Sequence, residues 1–246
     1  MLNLVEEEKM KEKIYIENGQ TKIPAILWGQ PSQNILIEVH GNMSNKEDRV
    51  ISTIANRAVD QGYQVVSFDL PEHGERSDDG YGFTPEHALD DLKAVYTFAK
   101  TLGKEISVFG CSIGAYYSLL AYHTYEIRNY AFLSPVVNME SIIKGLMENF
   151  QITEERLEKE KQIKLPIGME LDWDYYTFVR NNPLEFDCNG PMNILYGKND
   201  TMCAYEDILS FCQAYQVDLT VDEKGEHYYH TDEHMNEVDT WCQKWL

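Results

Sequence analysis

A chain of 246 residues with a formal net charge of −20 is poorly suited to nucleic acid or to anionic membrane surfaces, because both present phosphates that such a surface repels. Hydrophobic residues make up 43% and charged residues 25%, the balance of an ordinary globular protein with enough chain for one α/β domain and an insertion. No apolar run approaches the roughly 20 residues needed to span a bilayer, and the opening MLNLVEEEKMKEK lacks the cationic start and apolar stretch of a signal peptide. The five cysteines, Cys111, Cys188, Cys203, Cys212 and Cys242, are odd in number and form no CxxC pair. That usage fits reduced thiols and a cytoplasmic location better than a disulfide framework or a zinc ribbon.

In chain order, Lys13–Glu17 and Ala25–Trp28 read as early strands, joined as a hairpin through Asn18-Gly19. Asn34–His40 (NILIEVH) is an apolar strand. Asn45–Gln61 carries helical spacing, with Ile51, Ile54, Ala55, Ala58 and Val59 on one face. Tyr63–Asp69 is a strand, and Thr84–Thr101 a helix with Thr84 as N-cap and Pro85 in its first turn. Ile106–Gly110 is a strand, Ile113–His123 a helix and Asn129–Leu133 a strand.

After Ser134-Pro135 the alternation lapses. Asn138–Phe150 has helical spacing, Thr153–Lys164 is densely charged with Thr153 as a cap, and Asp172–Val179 is rich in aromatics. Alternation resumes with a strand at Met192–Tyr196, a helix at Tyr205–Tyr215, a strand at Val217–Val221 and a helix at Asp232–Trp245. This order predicts a mostly parallel central sheet with helices on both faces, whose ligands bind at the carboxyl ends of the strands.

The residues that carry chemistry fall where that argument requires them. Gly110-Cys111-Ser112-Ile113-Gly114 is a G-x-S-x-G pattern between a strand and a helix. A serine held out at a strained turn needs neighbours without side chains two positions away, and the helix start that follows leaves free N–H groups to stabilise an oxyanion, that of Ile113 first. The bland reading is a simple turn. Cys111 sits one position off the apex and is expected to be a packed, unreactive thiol.

A nucleophilic serine needs a base, and the base an orienting acid. Asp200 lies in the loop after Met192–Tyr196, with a turn or helix cap as its bland alternative. His227 follows strand Val217–Val221 after a short loop. His230 and His234 compete with it but lie where the last helix begins, and are expected on a solvated face of that helix. Their four-residue spacing suits a metal, yet no third ligand is apparent, so no metal site is expected. After strand Asn34–His40, Gly41 permits close backbone approach and the N–H of Asn42 is the second candidate oxyanion donor. His40 and His73 read as loop-shaping residues.

Together, HGN at His40–Asn42, the D-x-P-x-H-G-x-x-S segment at Asp69–Ser77, GCSIG at Gly110–Gly114 and the late Asp200 and His227 resemble the α/β-hydrolase family. The resemblance runs from about Lys13 to the end. It implies an α/β-hydrolase fold in a single domain over 1–246, with a small helical cap inserted at 136–187. It also implies a Ser112–His227–Asp200 triad and an oxyanion hole from the Asn42 and Ile113 backbone. Within the cap, Phe150, Trp173 and Tyr176 are candidate substrate-binding residues, and each can equally serve only to fasten the cap to the core. Serine at the elbow argues against the dehalogenase-like and dienelactone-type variants, which use aspartate and cysteine there.

The expected function is a serine hydrolase of the carboxylesterase kind that cleaves a small or medium ester through an acyl-enzyme, with no metal or organic cofactor. Its partner is a small-molecule acyl substrate, and the sequence carries no signal for oligomeric state. A thioesterase, an acyltransferase or a small-peptide hydrolase would use the same residues. A hydrolase-like protein that only binds a ligand is the alternative from another class.

Overall fold

The computed structural model describes residues 10–19, 21–184 and 190–246. Residues 1–9, which hold most of the stretch read for a signal peptide, and Cys188 lie outside them. Strand β1 (Lys11–Asn18) turns through Gly19, whose φ is +60°, into β2 (Thr21–Trp28), and the two pair antiparallel as the Asn-Gly signal predicts. There follow β3 (Asn34–Val39), α1 (Arg49–Asp60), β4 (Gln64–Phe68), α2 (Pro85–Leu102), β5 (Glu105–Cys111), α3 (Ile113–Tyr122) and β6 (Asn129–Leu133). Helix α1 starts later than its apolar spacing suggests because Asp48, not Asn45, caps it, its side chain accepting the Val50 N–H. Thr84 caps α2 as expected, with Pro85 at its start.

Between β6 and β9 lie α4 (Met139–Asn149), α5 (Glu154–Glu160), a two-stranded hairpin of β7 (Gln162–Lys164) and β8 (Glu170–Asp172), and α6 (Trp173–Asn181). The hairpin is absent from the sequence reading. Its strands are three residues long and alternate charge with a single buried side chain each, Ile163 and Leu171, which is too short for a period-two signal. The chain closes with β9 (Met192–Gly197), α7 (Tyr205–Tyr215), β10 (Asp218–Asp222) and α8 (Asp232–Cys242).

The eight-stranded sheet runs in the order β1-β2-β4-β3-β5-β6-β9-β10, with β1/β2 and β2/β4 antiparallel and every other pair parallel. Alternate residues of the central strands feed two cores. Ile35, Ile37, Val39, Phe132 and Ile194 face α2, α3 and α7, while Leu36, Phe109, Leu133 and Leu195 face α1 and α8. Among the described residues no helix is long and apolar enough to cross a membrane.

Buried charges tie down the loops at the carboxyl ends of β3 and β4. Asp69 accepts the backbone N–H groups of Lys46 and Glu75 and pairs with the Lys46 Nζ at 2.7 Å, and Lys46 also reaches Glu75 at 2.7 Å. Arg76, 1% exposed, pairs with the fully buried Asp91 on α2 and with Asp79, and its Nη1 also donates to the Asp69 carbonyl. Burial keeps the Asp91 carboxyl above its ordinary value, against the pull of Arg76 and Asn18. Arg76→Ala removes that carboxyl's cation and leaves it only the Asn18 amide, and is expected to cost about 3–5 kcal/mol in denaturant unfolding. Asp91→Asn in the same background should recover part of the loss.

Glu38 departs from this pattern. It sits on β3 in the face covered by α8, is fully buried, and neither carboxyl oxygen has a hydrogen-bond partner among the described residues. Burial holds its pKa well above the ordinary glutamate value. Below that ordinary value both folded and unfolded chains carry the proton. Above it the unfolded chain releases the proton while the folded chain keeps it, so stability falls as pH rises. Glu38→Met should therefore stabilise the fold by about 1–3 kcal/mol, with a larger gain in thermal midpoint at pH 8 than at pH 5.

Candidate active site

Ser112 stands between β5 and α3 with φ +51° and ψ −117°, a conformation that non-glycine residues rarely adopt. Its neighbours explain how the turn closes. A Cβ on Gly114 would lie 2.3 Å from the Val39 carbonyl oxygen and 2.5 Å from that of His40, and a Cβ on Gly110 would meet the Ala115 backbone at 2.8 Å. The start of α3 therefore lies directly against the end of β3. Backbone hydrogen bonds hold the apex: the Ser112 N–H donates to the Leu133 carbonyl, and the Ser112 carbonyl accepts from Ala115 and Val136.

The three residues expected to act together do meet. Ser112 Oγ lies 2.9 Å from His227 Nε2, and His227 Nδ1 lies 2.7 Å from Asp200 Oδ2. The Asp200 side chain is fully buried and that of His227 is 15% exposed. Asp200 Oδ1 accepts the N–H groups of Met202 at 2.7 Å and Cys203 at 2.9 Å, which leaves Oδ2 for the imidazole. Cross-links between the two loops fix the pair, with the Lys198 N–H donating to the Asp222 carbonyl and the Asn199 N–H to that of Gly225. With the proton on Nδ1 facing Asp200, Nε2 has a lone pair for the Ser112 proton.

The backbone beside the serine is shaped by two histidines. A Cβ on Gly41 would stand 3.3 Å from Ser112 Cβ, so the Gly41–Asn42 backbone runs against the serine. Ile113 opens α3, so its N–H has no acceptor within the helix. His40 Nδ1 donates to the Gly41 carbonyl at 2.7 Å and its Nε2 accepts the Leu70 N–H at 3.0 Å. Burial pushes the His40 pKa down to about 4, so the ring is neutral near pH 7. His73 Nδ1 donates to the Pro71 carbonyl, and its Nε2 faces the Asn42 side-chain amide at 3.1 Å.

The rival groups take other roles. Burial pushes the Cys111 thiol up to about 12, so it stays protonated. His230 and His234 do not share a solvated helix face. His234 is buried, its Nδ1 accepts the His230 N–H, and His230 precedes the helix. Thr231 caps α8 by accepting the His234 N–H, and the His234 ring packs against that of Tyr229 with centroids 4.9 Å apart. The four described cysteines are free thiols.

A mostly apolar cavity of about 370 Å³ lies between α4 and the loop that follows β9, with Ile142, Leu146, Met169, Met202 and Cys203 in its wall. Phe150, Trp173 and Tyr176 do not line it. Tyr176 is fully buried, its hydroxyl donates to Glu154 Oε1 at 2.8 Å, and Arg180 reaches the other oxygen of the same carboxylate, so it fastens α6 to α5. Phe150 and Trp173 are half-buried against the main core. The contribution of the Thr201–Cys203 segment went unseen in the sequence, where only its position just after Asp200 pointed to it.

A model of the alpha/beta hydrolase family matches residues 39–183, more than half of the chain. A comparison with curated proteins finds no match. Among solved structures, Est1E from Butyrivibrio proteoclasticus with ferulic acid bound is similar with a TM-score of 0.78 at 20% identity, over 94% of this chain and 98% of that one. Alpha/beta hydrolase domain-containing protein 10 from mouse gives 0.78 at 12% identity, over 95% and 97%. The Pyrococcus furiosus esterase Pf2001 gives 0.69 at 21% identity, over 97% and 94%. At these identities the likeness speaks to fold alone; on the family model's match over more than half of its length, the chain belongs to the alpha/beta hydrolase family.

Proposed function

We propose that the protein is a serine hydrolase that cleaves small or medium carboxylic esters through Ser112, His227 and Asp200. The observation that carries this reading is the continuous hydrogen-bonded chain from Ser112 Oγ through both imidazole nitrogens to a fully buried carboxylate. His227 takes the Ser112 proton as the oxygen attacks the ester carbonyl, while Asp200 holds the ring's tautomer and stabilises the imidazolium. The N–H groups of Ile113 and Asn42 receive the developing oxyanion. His227 then gives its proton to the leaving alcohol, and water, deprotonated by the same ring, releases the acid from the acyl-enzyme.

In this reading the segment at 136–187 acts as a cap, although 185–187 lie outside the described residues. The apolar wall of the 370 Å³ cavity favours an uncharged acyl or alcohol group of modest size. Ferulic acid bound to the Butyrivibrio esterase makes aryl esters worth including beside alkyl ones.

The test is labelling by a fluorophosphonate together with hydrolysis of p-nitrophenyl esters of increasing chain length and of a methyl hydroxycinnamate. Ser112→Ala should abolish labelling and lower kcat on the order of a million-fold with the fold intact by circular dichroism. Asp200→Asn should lower kcat about 10,000-fold, because the amide selects the wrong imidazole tautomer. Folded wild-type protein that is neither labelled nor active on any ester or thioester would reject the hydrolase reading in favour of ligand binding.

A further inference from the structure

Cys203 is a buried thiol that ester hydrolysis does not use. It follows Asp200 by three residues, and its side chain turns back toward the acid–base pair. One ligand atom each from Asp200, Cys203 and His227 lies within 4.8 Å of the other two. The loop holds this arrangement at both ends of the residue: the Cys203 N–H donates to Asp200 Oδ1, and its carbonyl accepts the Tyr196 hydroxyl at 2.7 Å. Burial, with a smaller contribution from the Asp200 charge, raises the thiol's pKa, so it is a neutral S–H when nothing is bound.

A carboxylate, a thiol and an imidazole form a mixed oxygen, sulfur and nitrogen set. Hard ions such as magnesium or calcium prefer oxygen alone, whereas zinc and cadmium accept all three. Donors at about 2.0–2.3 Å from a tetrahedral ion stand roughly 3.5 Å apart, so an ion needs the Asp200–His227 pair, now 2.7 Å apart, to open by about an ångström and the sulfur to close by about the same. Cys203 also lines the cavity between α4 and the post-β9 loop, where Asp207 sits at the wall, so the thiol is the member of the set that an ion in the cavity meets first. The net charge of −20 concentrates cations around the molecule.

We propose that Asp200, Cys203 and His227 form an inhibitory site for a thiophilic divalent cation, zinc or cadmium, entering from that cavity. On binding, the thiol loses its proton to solvent and the sulfur bonds the ion. His227 binds through Nδ1, the nitrogen that faces Asp200, and its single ring proton is carried on Nε2 instead. An imidazole protonated at Nε2 donates to Ser112 Oγ and has no lone pair to take its proton. The ion therefore silences the relay from the Asp200 side of the imidazole, opposite Ser112. Binding rests on the cluster's geometry alone, and the loss of turnover rests on the hydrolase reading above.

The experiment is titration of cadmium into the full chain, read by the ultraviolet charge-transfer absorption of a cadmium–thiolate bond and by calorimetry, for wild type, Cys203→Ala and Cys203→Ser. The expected result is one ion per wild-type chain, with the absorption absent from both variants. Each variant's fluorophosphonate labelling is referred to its own metal-free rate, and both should resist cadmium at more than ten times the concentration that halves the wild-type rate. The isosteric serine variant keeps the comparison valid should the alanine cavity unsettle the loop. No charge-transfer band in wild type, or a band that survives in a folded Cys203 variant, overturns the site even if the protein hydrolyses esters. A band lost with Cys203 in a protein that cleaves no ester sustains the site and rejects only the hydrolase reading.

Discussion

The site depends on one close approach, that of the first turn of α3 to the last residues of β3. With the Val39 and His40 carbonyls 2.3 and 2.5 Å from where a Gly114 Cβ would be, only glycine lets the two backbones meet. That contact is what obliges Ser112 to take φ +51° and project from the turn. It also sets the Gly41–Asn42 backbone beside the serine.

Strain of that kind persists only where the surroundings over-determine it, and here the surroundings are largely electrostatic. Lys46, Asp69 and Glu75 bind the loop after β3 to the loop after β4, and Arg76 with Asp91 binds the latter to α2. Each buried member of this set, Lys46, Asp69, Arg76 and Asp91, has a partner, which is what makes a buried charge tolerable. Glu38, lying under α8, has none among the described residues, and remains acceptable as a neutral acid. The same fold thus holds paired ions at the catalytic end of its sheet and an unpaired, protonated carboxyl behind it.

The acid loop after β9 faces two ways. Through Asp200 it orients the imidazole, and through Met202 and Cys203 it forms a wall of the cavity beneath α4. Any molecule that fills the cavity therefore touches residues adjoining the acid that holds the base. This shared wall joins the cavity to the hydrogen-bonded chain that runs from Asp200 through His227 to Ser112.

The sequence by itself determined the strand and helix order of the central sheet, the Thr84 cap and the candidate residues Ser112, Asp200 and His227. It did so because hydrophobic period, cap chemistry and turn chemistry are local properties of neighbouring residues. It also marked Gly110 and Gly114 as positions of crowding without saying what crowds them. Only the tertiary structure decided that Tyr176 is locked to Glu154 rather than lining a cavity, that His234 is buried, and that Cys203 approaches the Asp200–His227 pair. Those outcomes depend on which segments the sheet order 1-2-4-3-5-6-9-10 makes neighbours. Contacts between residues separated by tens of positions leave no periodic trace in the chain.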